Sequence, residues 1–412
     1  MSDDLKRWDP IFPWIEQELG GRIIRSERQG RESGGRFAWF VDLEIGGEQV
    51  KTYVRGERDA SFSYTRVYST AREARILQVL HDAGVLVPKV LAVHESPQAA
   101  VLEHVEGRDN FNEVTDPGER DGIAEHFLEL LADLHAVDVK KFESAGLRIP
   151  ETPEEIALND LDVWQSTYED VIREPVPLIT FACRWLRRNV PRKVVEPVLV
   201  QGDTGPGNLL FHEGRVSALV DFESLFFYNV KTQALVPMSL APVMENLNAR
   251  TEHAEWIAQY VFYLRTTSQA LAEAIGLTLD EVELPAPRPT RFSRYYDLLI
   301  ENLEEEQRPA IQDPFLNNRM WFASRLARHL RHGDTLGPAF EEQELDDLGA
   351  LLGRRPESVQ AGQRQLDALV REAGPERDAE FITYFYRFAR REEALMEGAL
   401  GLCEGAELSP MR

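Results

Sequence analysis

Cysteine and long apolar runs are scarce in this 412-residue sequence. The two cysteines, Cys183 and Cys403, form no CxxC pair, which argues against a disulfide framework or a cysteine-based zinc site and favours a cytoplasmic location. No segment approaches the roughly 20 apolar residues of a membrane-spanning helix. Residues 1–6 also lack the basic start and apolar run of a signal peptide. We therefore expect a protein without a membrane partner.

Basic residues are also scarce relative to acidic ones. Lysine and arginine total 46 against 70 aspartates and glutamates, which gives a formal net charge of −24, and only seven of the basic residues are lysines. Nucleic acids bind clustered lysine and arginine, so we expect no nucleic-acid partner. The acidic surplus alone does not identify a ligand, and it says nothing about oligomeric state.

The order of predicted elements indicates an α+β protein. Residues 36–55 alternate in polarity around Gly46-Gly47, which predicts a β-hairpin. A helix is predicted from Thr70 to Ala83, with short strands at 90–93 and 100–104. After Gly107 the pattern is mainly helical. We predict three parts: an N-terminal lobe at 1–106, a larger helical lobe at 107–290 and a helical extension at 291–412.

The most informative segment is the β-rich stretch at 198–223, in which polar residues interrupt two apolar strands. Pairing Glu213 with Val216 around a Gly214-Arg215 turn would place Asn208 directly opposite Asp221. An amide oxygen and a carboxylate at one end of a hairpin suit Mg²⁺. Asp203, five residues before Asn208, would then lie beside a metal-bound triphosphate and accept a proton from an attacking hydroxyl.

A purely structural interpretation competes with this one. Each residue of the Asp203–Asn208 loop is also a turn former, and Glu73 has a local role open to it because Thr70 and Glu73 have capping-box spacing. Arg55 on its own would be an ordinary charge at a strand edge. The combination of three polar residues with two apolar strands favours the chemical interpretation.

The segment resembles the protein-kinase signature, with Asp203, Asn208 and then Asp221-Phe222 in the metal-binding position. It is still more similar to the aminoglycoside phosphotransferase and choline kinase-like family, whose loop reads H-G-D-x4-N followed by a D-W/F-E motif. The subgroup it resembles is related to the kinase-like domain of acyl-CoA dehydrogenase fusion proteins. The resemblance covers residues 25–260 and implies a bilobal protein-kinase-like fold, with a small antiparallel β-sheet N-lobe and a larger, mostly helical C-lobe.

The resemblance also implies roles for individual residues. Asp203 would be the catalytic base, and Asn208 and Asp221 would hold Mg²⁺. The positions that would bind ATP or GTP are the phosphate-covering loop Ser33, Gly34 and Gly35, the phosphate-binding cation Arg55 with its helix partner Glu73, and the hinge residues Glu103, His104 and Val105.

Three positions depart from the family pattern. Gln201 replaces the usual histidine, Arg55 replaces a lysine, and residues 225–230 lack the usual Gly-Asp-Pro. A guanidinium still binds phosphate, although its planar fork differs in geometry from an ammonium. The literal H-G-D at His332-Gly333-Asp334 lacks the downstream asparagine, and we predict that it ends a helix.

The function implied is a small-molecule kinase that transfers the γ-phosphoryl group of ATP to a substrate hydroxyl. The alternative is a non-catalytic nucleotide-binding protein with the same fold. The acceptor stays open between a metabolic hydroxy compound and an aminoglycoside-like antibiotic. Acidic residues of the helical region would suit a polycation, although solvated helix faces are the more common explanation; these residues are Glu223, Glu245, Glu252, Asp297 and Glu301. Aromatic residues would suit an apolar alcohol, although core packing is the more common explanation; these residues are Trp256, Tyr260, Phe262, Tyr263, Tyr295 and Tyr296.

Overall fold

The structure is a computed structural model that describes residues 8–29, 37–57, 68–190, 197–205, 207–222, 226–228 and 253–407. The chain forms two compact units. The first consists of Met1–Asp160 and Pro191–Gln233, and the second of Leu161–Val190 and Ala234–Arg412. The three-part division with boundaries after residues 106 and 290 stays a prediction.

A five-stranded antiparallel sheet opens the first unit, with strand order β1-β2-β3-β5-β4. The predicted hairpin is confirmed: Ile45 lies opposite Glu48, and Gly46 and Gly47 take φ values of 59° and 88° in the turn between them. Positive φ at both positions is what a two-residue type I′ turn requires. The strands are β1 (Arg22–Arg28), β2 (Phe37–Ile45), β3 (Glu48–Gly56), β4 (Val90–Glu95) and β5 (Gln98–Glu103).

Helices cover both faces of this sheet. Helix α1 (Ile11–Leu19) packs Ile11 and Ile15 against the face that carries Trp39 and Val54. Helix α2 (Thr70–Asp82) packs on the opposite face, in a second apolar cluster. Side chains alternate between the two faces of a strand. Arg55 follows Val54 in β3 and therefore lies on the opposite face, where α2 packs.

The remainder of the first unit contains helix α3 (Pro117–Ala136), helix α4 (Pro153–Val171), which continues into the second unit, and four short strands. Strand β6 (Val198–Val200) pairs with β9 (Phe226–Tyr228), and β7 (Leu209–His212) pairs with β8 (Arg215–Leu219). The isolated bridge between Arg108 and Phe211 joins the residues after β5 to β7.

The β7–β8 register differs from the predicted one. The turn is Glu213-Gly214, with φ values of 48° and 75°, which moves the pairing two residues away from the predicted one. An irregularity at Leu210 and Phe211 moves it back by one residue, so that Asn208 lies beside Val220. The prediction that Asn208 lies directly opposite Asp221 is therefore wrong. A one-residue bulge has no clear signature in an apolar run of this kind.

The second unit is helical. The predicted helix end at His332-Gly333-Asp334 is wrong, because α8 continues through it and ends where Gly353 adopts φ 75°. The Asp334 carboxylate accepts hydrogen bonds from the hydroxyls of Thr290 and Ser293. The main helices are α5 (Pro177–Arg188), α6 (His253–Ile275), α7 (Ser293–Glu301), α8 (Pro314–Leu352), α9 (Val359–Glu372) and α10 (Asp378–Leu395).

The predicted α+β class is confirmed. A small antiparallel sheet precedes a larger, mostly helical part, which is the composition of a bilobal protein-kinase-like fold. No helix among the described residues has both the length and the apolar character needed to cross a lipid bilayer.

Candidate active site

Arg55 joins two carboxylates that come from distant parts of the chain. Its Nη1 donates to Glu73 Oε1 at 2.9 Å, and its Nη2 donates to Asp221 Oδ1 at 3.1 Å. The guanidinium is largely buried, and Glu73 is more buried than Asp221. Ion pairs that are shielded from water are weakened less by salt than exposed ones. The three side chains therefore form one connected charge cluster.

Glu73 takes part in this cluster instead of capping its own helix. The residue that caps α2 is Ser69, whose hydroxyl accepts a hydrogen bond from the backbone N–H of Arg72. The capping-box interpretation with Thr70 as the cap is therefore wrong. The Glu73 carboxylate is directed toward β3, where Arg55 lies.

Asp221 lies just beyond the β7–β8 pairing. The last bond before it runs from Val220 N to Asn208 O at 3.1 Å. Asp221 itself takes a φ of 63°, a left-handed conformation that is uncommon for residues other than glycine. This backbone geometry turns the carboxylate toward Arg55.

Gln201 supports the backbone on both sides of the site. Its side chain is buried, and Nε2 donates to the carbonyl oxygen of Val220 and, at a longer 3.4 Å, to that of Asn208. Its Oε1 is buried without a hydrogen-bond partner among the described residues. The glutamine therefore holds together the segments that carry Asn208 and Asp221.

Asp203 and Asn208 are close in space as well as in sequence. Asn208 Nδ2 donates to the Asp203 backbone oxygen at 2.7 Å. Desolvation raises the pKa of the Asp203 carboxyl, the Asn208 side chain partly opposes this by hydrogen bonding, and the negative charge of Asp221 adds to it. The side chain itself is exposed to solvent.

A cavity of about 500 Å³ lies next to the Arg55 cluster. Seven of the predicted site residues line it: Arg55, Glu73, Glu103, His104, Val105, Asn208 and Asp221. Asp203 is not one of the lining residues, and Ser33, Gly34 and Gly35 lie outside the described residues. The structure thus brings the predicted cation, hinge and metal positions together around one space.

Sequence reasoning missed several residues that line this cavity. Tyr53 donates its hydroxyl to Gln29 Oε1 at 2.8 Å, and burial raises its pKa to about 12. Phe40 lies against both Tyr53 and His104, with ring centroids 5.5 and 5.8 Å apart. Tyr53 could have been found, because it lies two residues before Arg55 on the same strand face. The other lining residues, Asp109 among them, carried no comparable signal.

The oxygen atoms of Asn208 and Asp221 fit a magnesium ion, because Mg²⁺ prefers oxygen ligands and is commonly bound by one or two protein groups together with phosphate and water. No group of three His, Cys, Asp or Glu side chains that would make a site by itself occurs in the described part of the chain. Asn208 and Asp221 would leave the other coordination positions of such an ion to phosphate oxygens and water.

Some of the acidic and aromatic residues that were considered as ligands of the acceptor have structural roles in the second unit. Asp297 pairs with Arg331, and Glu301 with Arg294. Trp256 is buried, as core packing requires. Glu223, Glu245 and Glu252 lie outside the described residues.

The site residues described above fall within a segment that matches a known family. Residues 47–229 match the phosphotransferase enzyme family, APH. This phosphotransferase segment contains Arg55, Glu73, the hinge and the Asp203–Asp221 region, so the predicted resemblance is confirmed.

Two curated relatives match the phosphotransferase segment and its surroundings. Human acyl-CoA dehydrogenase family member 11 is 27% identical over 184 residues, which are 42% of this chain and 23% of the relative. The rat protein of the same name is 29% identical over 226 residues, which are 51% of this chain and 28% of the relative. The matched region is thus less than a third of the length of these relatives.

One similar solved structure is a putative aminoglycoside phosphotransferase from Ralstonia eutropha. It is 16% identical, and the alignment covers 92% of this chain and 97% of that one with a TM-score of 0.39. The similarity to phosphotransferases rests on the family match to residues 47–229.

Proposed function

We propose that this protein is an ATP-dependent small-molecule kinase. The observation that carries the proposal is the meeting of Arg55, Glu73, Asn208 and Asp221 around one cavity inside the phosphotransferase segment. A cation, a buried carboxylate partner and two oxygen ligands are the groups that bind a metal–triphosphate complex.

The nucleotide base would occupy the part of the cavity near the hinge. The Glu103 carboxylate accepts a hydrogen bond from the backbone N–H of Lys89 at 2.8 Å. The backbone N–H groups of Glu103 and His104 donate to the carbonyls of Lys89 and Lys51, so the hinge would contact the base through its other backbone groups. Phe40 and Leu102 would contact the faces of the ring. Backbone donors and acceptors flanked by apolar walls suit a purine base, and they leave open whether the base is adenine or guanine.

Arg55 would hold the phosphates, and Asp203 would orient the acceptor hydroxyl. As the acceptor oxygen forms its bond to the γ-phosphorus, the bond from that phosphorus to the β,γ-bridging oxygen breaks, and the hydroxyl proton passes to the Asp203 carboxylate. When bound by Asn208 and Asp221, Mg²⁺ would supply charge neutralisation for the phosphate oxygens.

A non-catalytic nucleotide-binding protein is the second candidate. The observation that favours it is the ion pair between Arg55 and Asp221, because it occupies the carboxylate that an active kinase would give to its metal. The two candidates differ in turnover and agree in nucleotide binding.

The test measures ATP consumption with Mg²⁺ across aminoglycosides, macrolides, choline and hydroxy acids. We expect one acceptor class to stimulate turnover, and we expect Asp203→Asn to lower kcat by about 10²- to 10⁴-fold, the usual contribution of general-base catalysis. The matched control is Asp82→Asn, an exposed aspartate at the end of α2. Nucleotide binding without acceptor-stimulated turnover would support the non-catalytic candidate, and absence of both would exclude the two.

A further inference from the structure

Arg55 uses its planar fork to contact two carboxylates at once. Its two terminal nitrogens are assigned to different partners, Glu73 on α2 and Asp221 after β8. A lysine ammonium is a single point charge on a shorter reach and is less suited to span such a pair. The arginine therefore gives this site a connection between the sheet side and the β7–β8 side of the cavity.

The two contacts differ in accessibility. The Glu73 side chain is 4% exposed, whereas that of Asp221 is 30% exposed. Asp221 also lines the cavity that we assign to the nucleotide. An incoming anion or cation would therefore compete with the Asp221 contact first, while the buried Glu73 contact persists.

We propose that Arg55 is the internal counter-ion of Asp221 in the nucleotide-free protein, so that a divalent cation binds weakly until nucleotide phosphates draw the guanidinium away. This inference rests on the proposed function, because it takes Asp221 as a metal ligand. A guanidinium and a divalent cation at the same carboxylate repel each other. Phosphate oxygens remove the conflict by offering the guanidinium another anionic partner.

The backbone around Asp221 does not depend on Arg55. Val220 N is bonded to Asn208 O at 3.1 Å, and the Val220 carbonyl accepts from the side chain of Gln201. Replacing Arg55 should therefore release the Asp221 carboxylate while its backbone position persists. Variants at position 55 then report on the counter-ion and not on the folding of the loop.

The experiment measures Mn²⁺ binding by the electron paramagnetic resonance of free Mn²⁺, with and without ADP. We expect the wild type to bind Mn²⁺ weakly alone and much more tightly with ADP. Arg55→Lys keeps the charge but not the bridge and should bind Mn²⁺ alone several-fold more tightly; the neutral Arg55→Gln should reach about tenfold, because it removes a unit charge within a few ångströms. The matched control Arg148→Lys, whose parent arginine pairs with Glu155 on an exposed surface, should leave Mn²⁺ binding unchanged.

A second variant, Glu73→Gln, should change the affinity for Mn²⁺ in the opposite direction. It removes the carboxylate that competes with Asp221 for the guanidinium, so Arg55 should pair more strongly with Asp221 and Mn²⁺ should bind more weakly in the absence of nucleotide. Failure of both Arg55 variants to tighten binding would overturn the inference. Asp221→Ala distinguishes the proposed function: if ADP still promotes Mn²⁺ binding in that variant beyond the chelation of Mn²⁺ by ADP alone, Asp221 is not a metal ligand and the mechanism itself is wrong. Thermal unfolding of each variant confirms that it is folded.

Discussion

Gln201 stands where the H-G-D motif that this loop resembles has a histidine, and its contacts predict what its removal does. We consider Gln201→Met, which preserves the length and approximate volume of the side chain and deletes its amide. The buried amide donates to the Val220 carbonyl. Deleting it leaves that acceptor, one residue before Asp221, without this donor.

The expected effect on stability is small because two terms oppose each other. An unsatisfied buried acceptor costs about 1–3 kcal/mol. The variant also removes Gln201 Oε1, which is buried without a partner among the described residues, and this offsets the cost by a similar amount. The carbonyl of Asn208 keeps the bond from Val220 N. We therefore expect the free energy of unfolding to change by no more than about 1 kcal/mol.

The expected effect on activity is larger. Without the amide, the segments that carry Asn208 and Asp221 lose their shared support, and a displacement on the order of 1 Å in a reacting geometry costs about 10²-fold in rate. Gln201→His, which keeps one N–H donor, should recover much of the loss. Urea unfolding and kcat/KM for ATP, measured on the same preparations, separate the two effects.

Two results would refute this reasoning. Wild-type activity in Gln201→Met would mean that the amide does not position the site. A loss of activity matched by a loss of several kcal/mol in the free energy of unfolding would mean that Gln201 acts through global stability.

Three further predictions follow from other parts of the chain. Because desolvation raises the pKa of Asp203, the base is protonated at a higher pH than an ordinary aspartate, and kcat/KM should fall with decreasing pH through a midpoint above about 3.9; a lower midpoint contradicts this. Gly107→Ala would place a Cβ 3.1 Å from the backbone nitrogen of Phe211, and thermal unfolding should reveal a loss of about 1–3 kcal/mol. Arg391→Met would leave the buried Glu344 carboxylate without its cation, and it should lower the free energy of unfolding, measured with urea, by about 3–5 kcal/mol. An unchanged urea midpoint would mean that solvent reaches this pair.

The sequence alone predicts those features whose structure or chemistry depends on neighbouring residues or on residue type. The Gly46-Gly47 hairpin follows from alternating polarity and from two residues that accept positive φ. Helix α3 begins after Asp116, whose side chain accepts from the backbone of Glu119 and thereby caps the helix locally. The residue types at Asp203, Asn208 and Asp221 were sufficient to indicate oxygen-ligand chemistry, because that depends on the groups and not on their exact register.

Long-range contacts decided the rest. The β7–β8 register depends on where the turn forms and on a bulge, and together they place Asn208 beside Val220, so the expected Asn208–Asp221 pairing could not be read from the strand pattern. The sequence left Glu73 open between a capping box and the partner of Arg55, and only the fold shows that its carboxylate pairs with Arg55, which is 18 residues away in sequence.

The contact that most affects the proposed chemistry joins Arg55 to Asp221, 166 residues apart. The sequence by itself determined that this chain contains a cation and two carboxylates of the kinds that a phosphotransferase needs. Only the tertiary structure decided that Asp221 would share this guanidinium with Glu73, because partner choice in an ion pair depends on distance and burial and not on position along the chain.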